Sequence, residues 1–457
     1  MSEVLASRRL TRSPEPGGLP PERIVHLGLG AFHRAHQAWY TAHAHDAADW
    51  GIVAFTGRSR QLPELLDGQG GVYTLVERGR DDDAFEVVGS IVRAVPGGEV
   101  GELLRMLAKP STAILTLTIT EAGYRLTPAG GLDLNDPAVQ QDVELVRRVT
   151  AQGAPMPASP PEPWAPATAI GRIVLGLDAR RRAGAGPIAL VPCDNLPHNG
   201  EVLRGALRAF AALVSGELDT WLGAKVSCVS TSVDRITPRN SGPETDEVLR
   251  ATGWIDAAPV VAEPFSDWVL SGAFPAGRPA WETAGARFVD DIEPWENRKL
   301  WLLNGAHIHL ASAGRLRGHF TVAEAIADPV CRDEVERFWD EAVRHLPAVE
   351  VADYRSALLN RFKNSRIEHR LTQIAEGGLT KLRVRIVPVA RLERAAGRTA
   401  DACARVLGTW IAGATLGGTP ASLALIDPEL AADAPFALAV ASVADALTSD
   451  SRKTAAE

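Results

Sequence analysis

Arg23-Ile24-Val25-His26-Leu27-Gly28-Leu29-Gly30-Ala31-Phe32-His33-Arg34-Ala35-His36 is the stretch that decides the fold of this chain. Arg23 to Leu27 reads as a short buried strand, and two glycines follow it with no spacer. A helical pattern then runs from about Phe32 to His45. Strand, Gly-x-Gly and helix in that order make the phosphate-binding arrangement of dinucleotide folds. Gly28 allows the tight turn, and Gly30 lets backbone N–H groups approach a pyrophosphate at the positive end of the helix. The third glycine of that fingerprint is absent, because His33 stands in its slot. A bare G-x-G also suits a simple turn; the strand-to-helix context is what favours the cofactor.

Outward from this stretch, Gly51 to Thr56 reads as a second strand and Ala113 to Ile119 as a third, rich in β-branched residues. Ile188 to Val191 and Val226 to Val229 are further buried strands. Ala151 to Pro166 is crowded with Pro and Ala and reads as a surface loop. From about Trp295 onward helical periodicity dominates, through Leu310, Val335 to His345, Tyr354 to Leu359, Ala402 to Ala412 and Phe436 to Leu447. The expected architecture is therefore a loose start over 1–22, an α/β Rossmann-type domain over 23–293, and a mostly α-helical substrate domain over 294–457. A length of 457 residues also exceeds one ordinary core.

Hydrophobic residues make up 46% and charged residues 23%, as in a soluble globular protein. A net charge of −8 argues against a nucleic-acid partner. The four cysteines, Cys193, Cys228, Cys331 and Cys403, are too scattered for a zinc site or a disulfide framework. No apolar run of about 18 residues exists to span a membrane, and the first residues do not read as a secretory signal. A cytoplasmic monomer or small homo-oligomer acting on a small molecule is the default expectation.

Several clusters carry chemistry. Where dinucleotide folds place a ribose-binding acid, after the second strand, Thr56-Gly57-Arg58-Ser59-Arg60 stands instead. Arg58 and Arg60 suit the 2′-phosphate of NADP, or are solvated loop residues. His33 and His36, three apart, have a spacing that suits a metal, but His43 and His45, which follow, have no carboxylate in register, so capping and packing roles are expected and no metal. Thr118-Ile119-Thr120-Glu121 closes the third strand, where open sheets bind ligands; Thr120 and Glu121 either meet the cofactor or start a helix by capping. Cys193-Asp194-Asn195 closes another strand, with Asn195 either donating to a developing alkoxide or lying in an Asx-type turn. Ser232 to Pro238 sets Asp234 beside Arg235, which reads as a strand-end ion pair.

Glu296-Asn297-Arg298-Lys299-Leu300-Trp301-Leu302-Leu303-Asn304-Gly305-Ala306-His307 is the second informative stretch. With Lys299 as zero on an ideal helix, His307 lies at roughly 80° and Asn304 at roughly 140°, so all three line one side. Apolar neighbours disfavour a charged amine, which suits Lys299 as a base. The alternative is a lysine that reaches water and a buried, hydrogen-bonded His307.

Taken in order, Gly28 to His36, Thr118 to Glu121, Cys193 to Asn195, Val233 to Pro238 and Lys299 to His307 resemble the long-chain polyol dehydrogenase family, which includes mannitol 2-dehydrogenase and reductases of fructuronate and tagaturonate. The resemblance covers about residues 20 to 390. It implies a Rossmann-type domain and a helical domain with the active site in the cleft between them. It also implies NAD as cofactor and a lysine acid/base in place of a metal. Carried over, Lys299 is that base, Asn195 and Asn304 hold the substrate oxygen, and His307 orients the substrate. Glu296 gates proton exchange with water, Asp234 supports the site or meets a substrate hydroxyl, and Gly28, Gly30 and Phe32 line the cofactor. Lys381 matches a family lysine near the substrate. The leading expectation is a polyol dehydrogenase. A sugar-acid reductase is the alternative and calls for an extra cation such as Lys381 or Arg385; a non-catalytic dinucleotide sensor is the third.

Overall fold

The computed structural model describes residues 8–13, 18–57, 59–151, 165–238, 242–347 and 350–454. Arg58 and most of the expected loop from Ala151 to Pro166 lie outside them. The chain forms two compact units. The first runs to Arg78 and over Asp83–Ile292; the second comprises Gly79–Asp82 and the chain from Glu293.

The first unit is built on a six-stranded parallel sheet: β1 (Glu22–Leu27), β2 (Gly51–Phe55), β3 (Ile91–Val95), β4 (Ile114–Leu117), β5 (Ile188–Pro192) and β6 (Val226–Cys228). Its order is β3-β2-β1-β4-β5-β6, that of a Rossmann sheet, with the switch point between β1 and β4. Alternation assigns the two faces. Val25, Leu27, Val53, Phe55, Leu115 and Leu190 pack under the helices Val100–Leu107, Pro137–Ala151, Ala169–Arg182 and Asn199–Val214. Ile24, Ile52, Ala54, Ile114 and Val191 pack on the other side with Tyr40, Trp268 and Trp281. Burial on both faces explains the near-continuous apolar strands that the sequence displays.

The sequence did not reveal two smaller sheets. Tyr73–Arg78 pairs with Asp83–Val88 and Val260–Ala262, and Asp267–Ser271 pairs with Ser230–Asp234 and Arg287–Phe288. Part of the supposedly loose start is also pinned. Arg8–Arg9 runs parallel to Trp254–Ile255, and Arg12 donates to the carbonyls of Gly70, Gly89 and Ile91 at 2.7–2.8 Å.

The second unit is helical. Gly305–Leu316 is buried on nearly all sides, as a central helix must be, with Gly305 against Phe338 and Gly314 against Ala325 and Leu371. Pro329–Ala342, Asp401–Leu416 and the 21-residue Ala434–Thr454 complete its main helices. Among the described residues no helix is long and apolar enough to cross a membrane.

Candidate functional site

Within the first unit the candidate residues gather at the carboxyl ends of the strands. Gly28 has φ +110° and its N–H, like that of Leu29, donates to Phe55 O at 2.8–2.9 Å. A Cβ on Gly28 would sit 2.2 Å from Thr118 O, so only glycine fits. Gly30 is extended (φ −146°, ψ −167°), and a Cβ there would meet nothing nearer than Gly28 O at 3.5 Å. The space above Gly30 is thus an open cradle of backbone, whereas that around Gly28 is filled.

His33 explains how this turn dispenses with a third glycine. Its ring stacks on that of His26 in β1, centroids 3.3 Å apart and planes 9° from parallel, where a glycine would give close helix–strand packing. His26 has Thr116 Oγ1 at 2.8 Å and Thr118 Oγ1 at 3.0 Å, and Thr118 in turn donates to Gly28 O at 2.8 Å. Burial pushes His26 down to about 3, and burial together with His26 holds His33 well below the ordinary imidazole range. Both rings are neutral supports under the loop.

The expected continuous helix from Phe32 to His45 is two helices, Ala31–Ala35 and Gln37–His43, broken at His36. His33 and His36 therefore do not share a helical face. His36 accepts from Gln37 Nε2 at 3.0 Å and donates to Asp267 O at 3.2 Å. Phe32 stacks on its ring, centroids 5.0 Å apart.

Thr120 and Glu121 are exposed after β4, and Thr120 leads the short turn Glu121–Tyr124 without capping it through its side chain, contrary to one expectation. Asn195 is exposed after β5. Leu196 N–H donates to Asp194 Oδ1 at 3.3 Å, so the Asx-type turn is present. Asp234, 6% exposed, ends its strand. The neighbouring Arg235 spends its guanidinium on Glu77 at 2.5 Å, Ala35 O at 2.6 Å and Glu263 O at 3.0 Å.

The second unit carries the other group. Lys299 opens a π-helical segment, Lys299–Asn304, set between Glu293–Arg298 and Gly305–Leu316. The expected α-helical angles therefore do not apply: each i→i+5 hydrogen bond widens the turn and rotates Asn304 and His307 relative to Lys299. Such insertions recur at functional sites. Glu296, Lys299 and Asn304 are half-buried. His307 is buried, and its Nε2 has no hydrogen-bond partner among the described residues. Burial holds it well below the usual imidazole range, reinforced by His369, Arg361, Arg385 and Lys381. Its ring lies 4.9 Å from that of Phe362 and 4.8 Å from that of His369. Lys381 Nζ donates to Ile374 O at 2.8 Å, and Arg385 donates to Asn304 O at 3.2 Å. Burial and then Arg385 lower the Lys381 amine.

Sequence reasoning missed His26, Tyr124, Arg361 and His369. Only His26 left a signal, as one imidazole inside an apolar strand.

Comparison with known proteins completes the picture. The model of the mannitol dehydrogenase Rossmann domain matches residues 22–283, and that of the mannitol dehydrogenase C-terminal domain matches 291–421. The chain is 37% identical over 384 residues to D-mannonate oxidoreductase of Escherichia coli strain K12, covering 81% of this chain and 75% of that one. Mannitol 2-dehydrogenase of Pseudomonas fluorescens, solved with NAD and D-mannitol, superposes with a TM-score of 0.76 at 33% identity, over 99% of this chain and 94% of that one. A substrate-free D-sorbitol dehydrogenase gives 0.80 at 29% identity, over 90% and 83%.

Proposed function

The chain belongs to the mannitol dehydrogenase family, and from that membership we propose that it interconverts a secondary alcohol and a ketone on a polyhydroxylated chain, with NAD as cofactor and Lys299 as general acid/base. The observation that carries this reading is the π-helical segment that holds Lys299 and Asn304 and leads into the buried, neutral His307.

The first unit fits the cofactor. The open backbone cradle at Gly30 suits a pyrophosphate, with Phe32, Thr120 and Glu121 on the same rim of the sheet. Arg60, exposed after β2, is the described cation there; Arg58 lies outside the described residues. When bound, NAD supplies the hydride acceptor. The chain's own residues manage the proton. Lys299 removes it from the hydroxyl as the general base. The carboxamides of Asn304 and Asn195 donate to the developing alkoxide. His307 orients a second hydroxyl, Asp234 supports the substrate, and Glu296, one turn before Lys299, passes the proton to water. Proton transfer by an amine requires no metal.

One observation favours the sugar-acid branch over the neutral polyol that the sequence puts first. Arg361, Lys381, Arg385 and His369 all act on His307, with Glu376 acting on Lys381 from the other side. Such a cluster repels protons and attracts a carboxylate, which Arg and Lys bind well. Absorbance of reduced nicotinamide with a panel of polyols and hexonates or hexuronates, for wild type and Lys299→Ala, tests both points. Turnover of a panel member that is lost in Lys299→Ala supports the base; activity retained in that variant contradicts it.

A further inference from the structure

Asp194 is the second residue after β5, and Tyr124 ends the turn after β4, the neighbouring strand. The Tyr124 ring is fully buried and its hydroxyl donates to Asp194 Oδ2. Oδ1 of the same carboxylate accepts from Leu196 N–H at 3.3 Å. Asn199, also fully buried, bolts the far end of the turn. Its Nδ2 lies 3.0 Å from Thr231 O, 3.3 Å from Pro192 O and 3.4 Å from Asp194 O, and its Oδ1 accepts from Thr231 N–H at 2.8 Å. Residues 194, 196 and 199 are thus each anchored, while Asn195 between them is exposed at the rim of the sheet.

A carboxylate held by a phenol and a backbone N–H, with Glu121 adding repulsion, is costly to keep. Burial first and then Glu121 raise Asp194, against the hydrogen bonds from Tyr124, Leu196 and Asn199, to about 6. Cys193, just after β5, and Cys228, at the end of β6, lie near Tyr124 and stay protonated thiols, raised by burial. A turn needing only mechanical closure has cheaper solutions; orientation of one side chain to fractions of an ångström is what such a network specifies.

We propose that Tyr124 and Asp194 form a clamp that positions the Asn195 carboxamide for the reaction. Neither touches the reacting atoms on this account; both are positioning residues. The proposal rests on the reading of Asn195 as a holder of the substrate oxygen. Because the ionised carboxylate can accept from Tyr124 and Leu196 at once, protonation of Asp194 loosens the clamp and lowers turnover on the acid side.

Steady-state kinetics of Tyr124→Phe, Asp194→Asn, Asn195→Ala and the double variant Tyr124→Phe/Asn195→Ala, from about pH 5 to 8, test this with the substrate identified by the panel. Tyr124→Phe should lower kcat roughly tenfold, leave the KM for NAD unchanged and move the acid limb to higher pH, since a hydrogen bond to the ionised form is gone. Asp194→Asn should erase that limb. The double variant should be no slower than Asn195→Ala, because the clamp acts only through Asn195. Wild-type kcat and acid limb in both Tyr124→Phe and Asp194→Asn would overturn the clamp, as would full additivity in the double variant. Wild-type turnover in Asn195→Ala would instead bring down the Asn195 reading and the clamp with it. Thermal melts report folding, and the near-isosteric Asp194→Asn carries the test should Tyr124→Phe not fold.

Discussion

The two glycines of the nucleotide loop do different work, and one pair of substitutions separates them. In Gly28→Ala the new Cβ lies 2.2 Å from Thr118 O and 2.6 Å from Thr118 Oγ1, at φ +110°. The backbone conformation alone costs about 1–3 kcal/mol for a residue with a side chain. No rotamer relieves the overlap, because carbonyl and Cβ are both fixed by backbone. Relief requires β1 and β4 to part, at the expense of bonds such as Thr118 N–H to Leu27 O at 2.9 Å. The first unit should therefore lose about 3 kcal/mol or more. Gly30→Ala places its Cβ no nearer than 3.5 Å to anything, on an extended backbone. Its stability should stay within about 0.5 kcal/mol of wild type. Yet the methyl fills the space a pyrophosphate would enter, and NAD affinity should fall at least tenfold, about 1.4 kcal/mol. Urea denaturation gives the first quantity and calorimetric titration with NAD the second. Unchanged NAD affinity in Gly30→Ala would reduce the loop to a turn; wild-type stability in Gly28→Ala would refute the steric argument.

Asn304→Ala should lower kcat about 10²-fold with little effect on NAD binding, and a loss confined to NAD binding would show that this carboxamide is misassigned. Lys381→Met should raise the KM for a sugar acid roughly tenfold and spare that for a neutral polyol; equal losses on both would sink the carboxylate reading. His26 at about 3 and His33 well below 6.5 bind their protons only on unfolding, so the stability they contribute is complete above about 6.5 and drains as pH falls. At about pH 5.5 each costs about 1.4 kcal/mol. Urea denaturation of the first unit at that pH and at neutrality should show the difference, about half of it should vanish in His26→Asn, and an unchanged slope in that variant would contradict the account.

What the sequence displayed follows from which interactions are local. β2, β4 and β5 are buried on both faces and β1 over most of its length, so each appears as a short apolar run bounded by turn residues, while β6 at the edge is half-buried. The strands of the smaller sheets do not. In Asp83–Val88, Glu86 faces Trp39 and His43, and Val87 is 46% exposed. Their pairing is set by distant partners such as Val260–Ala262, which no local pattern encodes. The helix break at His36 is likewise tertiary, since the bond from its ring reaches Asp267, 231 residues away. Among site residues, Gly28, Gly30, Lys299, Asn304 and His307 stood out because a polar or minimal side chain interrupted an apolar pattern. Arg361 and His369 lie in polar stretches where one more charged residue carries no signal.

The π-helical segment shows the same division in energetic terms. A widened turn leaves carbonyls out of the usual i→i+4 ladder, and each must find another donor. Gly305 N–H bonds back to Leu300 O, Trp339 Nε1 donates to Leu302 O at 2.8 Å, and Arg385 donates to Asn304 O at 3.2 Å. The indole and the guanidinium come from helices 37 and 81 residues further along the chain. Local propensity alone favours an ordinary α-helix through Leu300 to Leu303, which is the form the sequence suggests. Long-range donors make the insertion tolerable, and an insertion supported in this way is where Lys299 and Asn304 stand. Removing such a donor should therefore disturb the site before it disturbs the fold. Trp339→Phe keeps the ring and deletes the N–H; kcat should drop several-fold, with a stability loss of about 1 kcal/mol. A large stability loss at unchanged kcat would mean that Trp339 serves the core alone and that the π-turn stands without it.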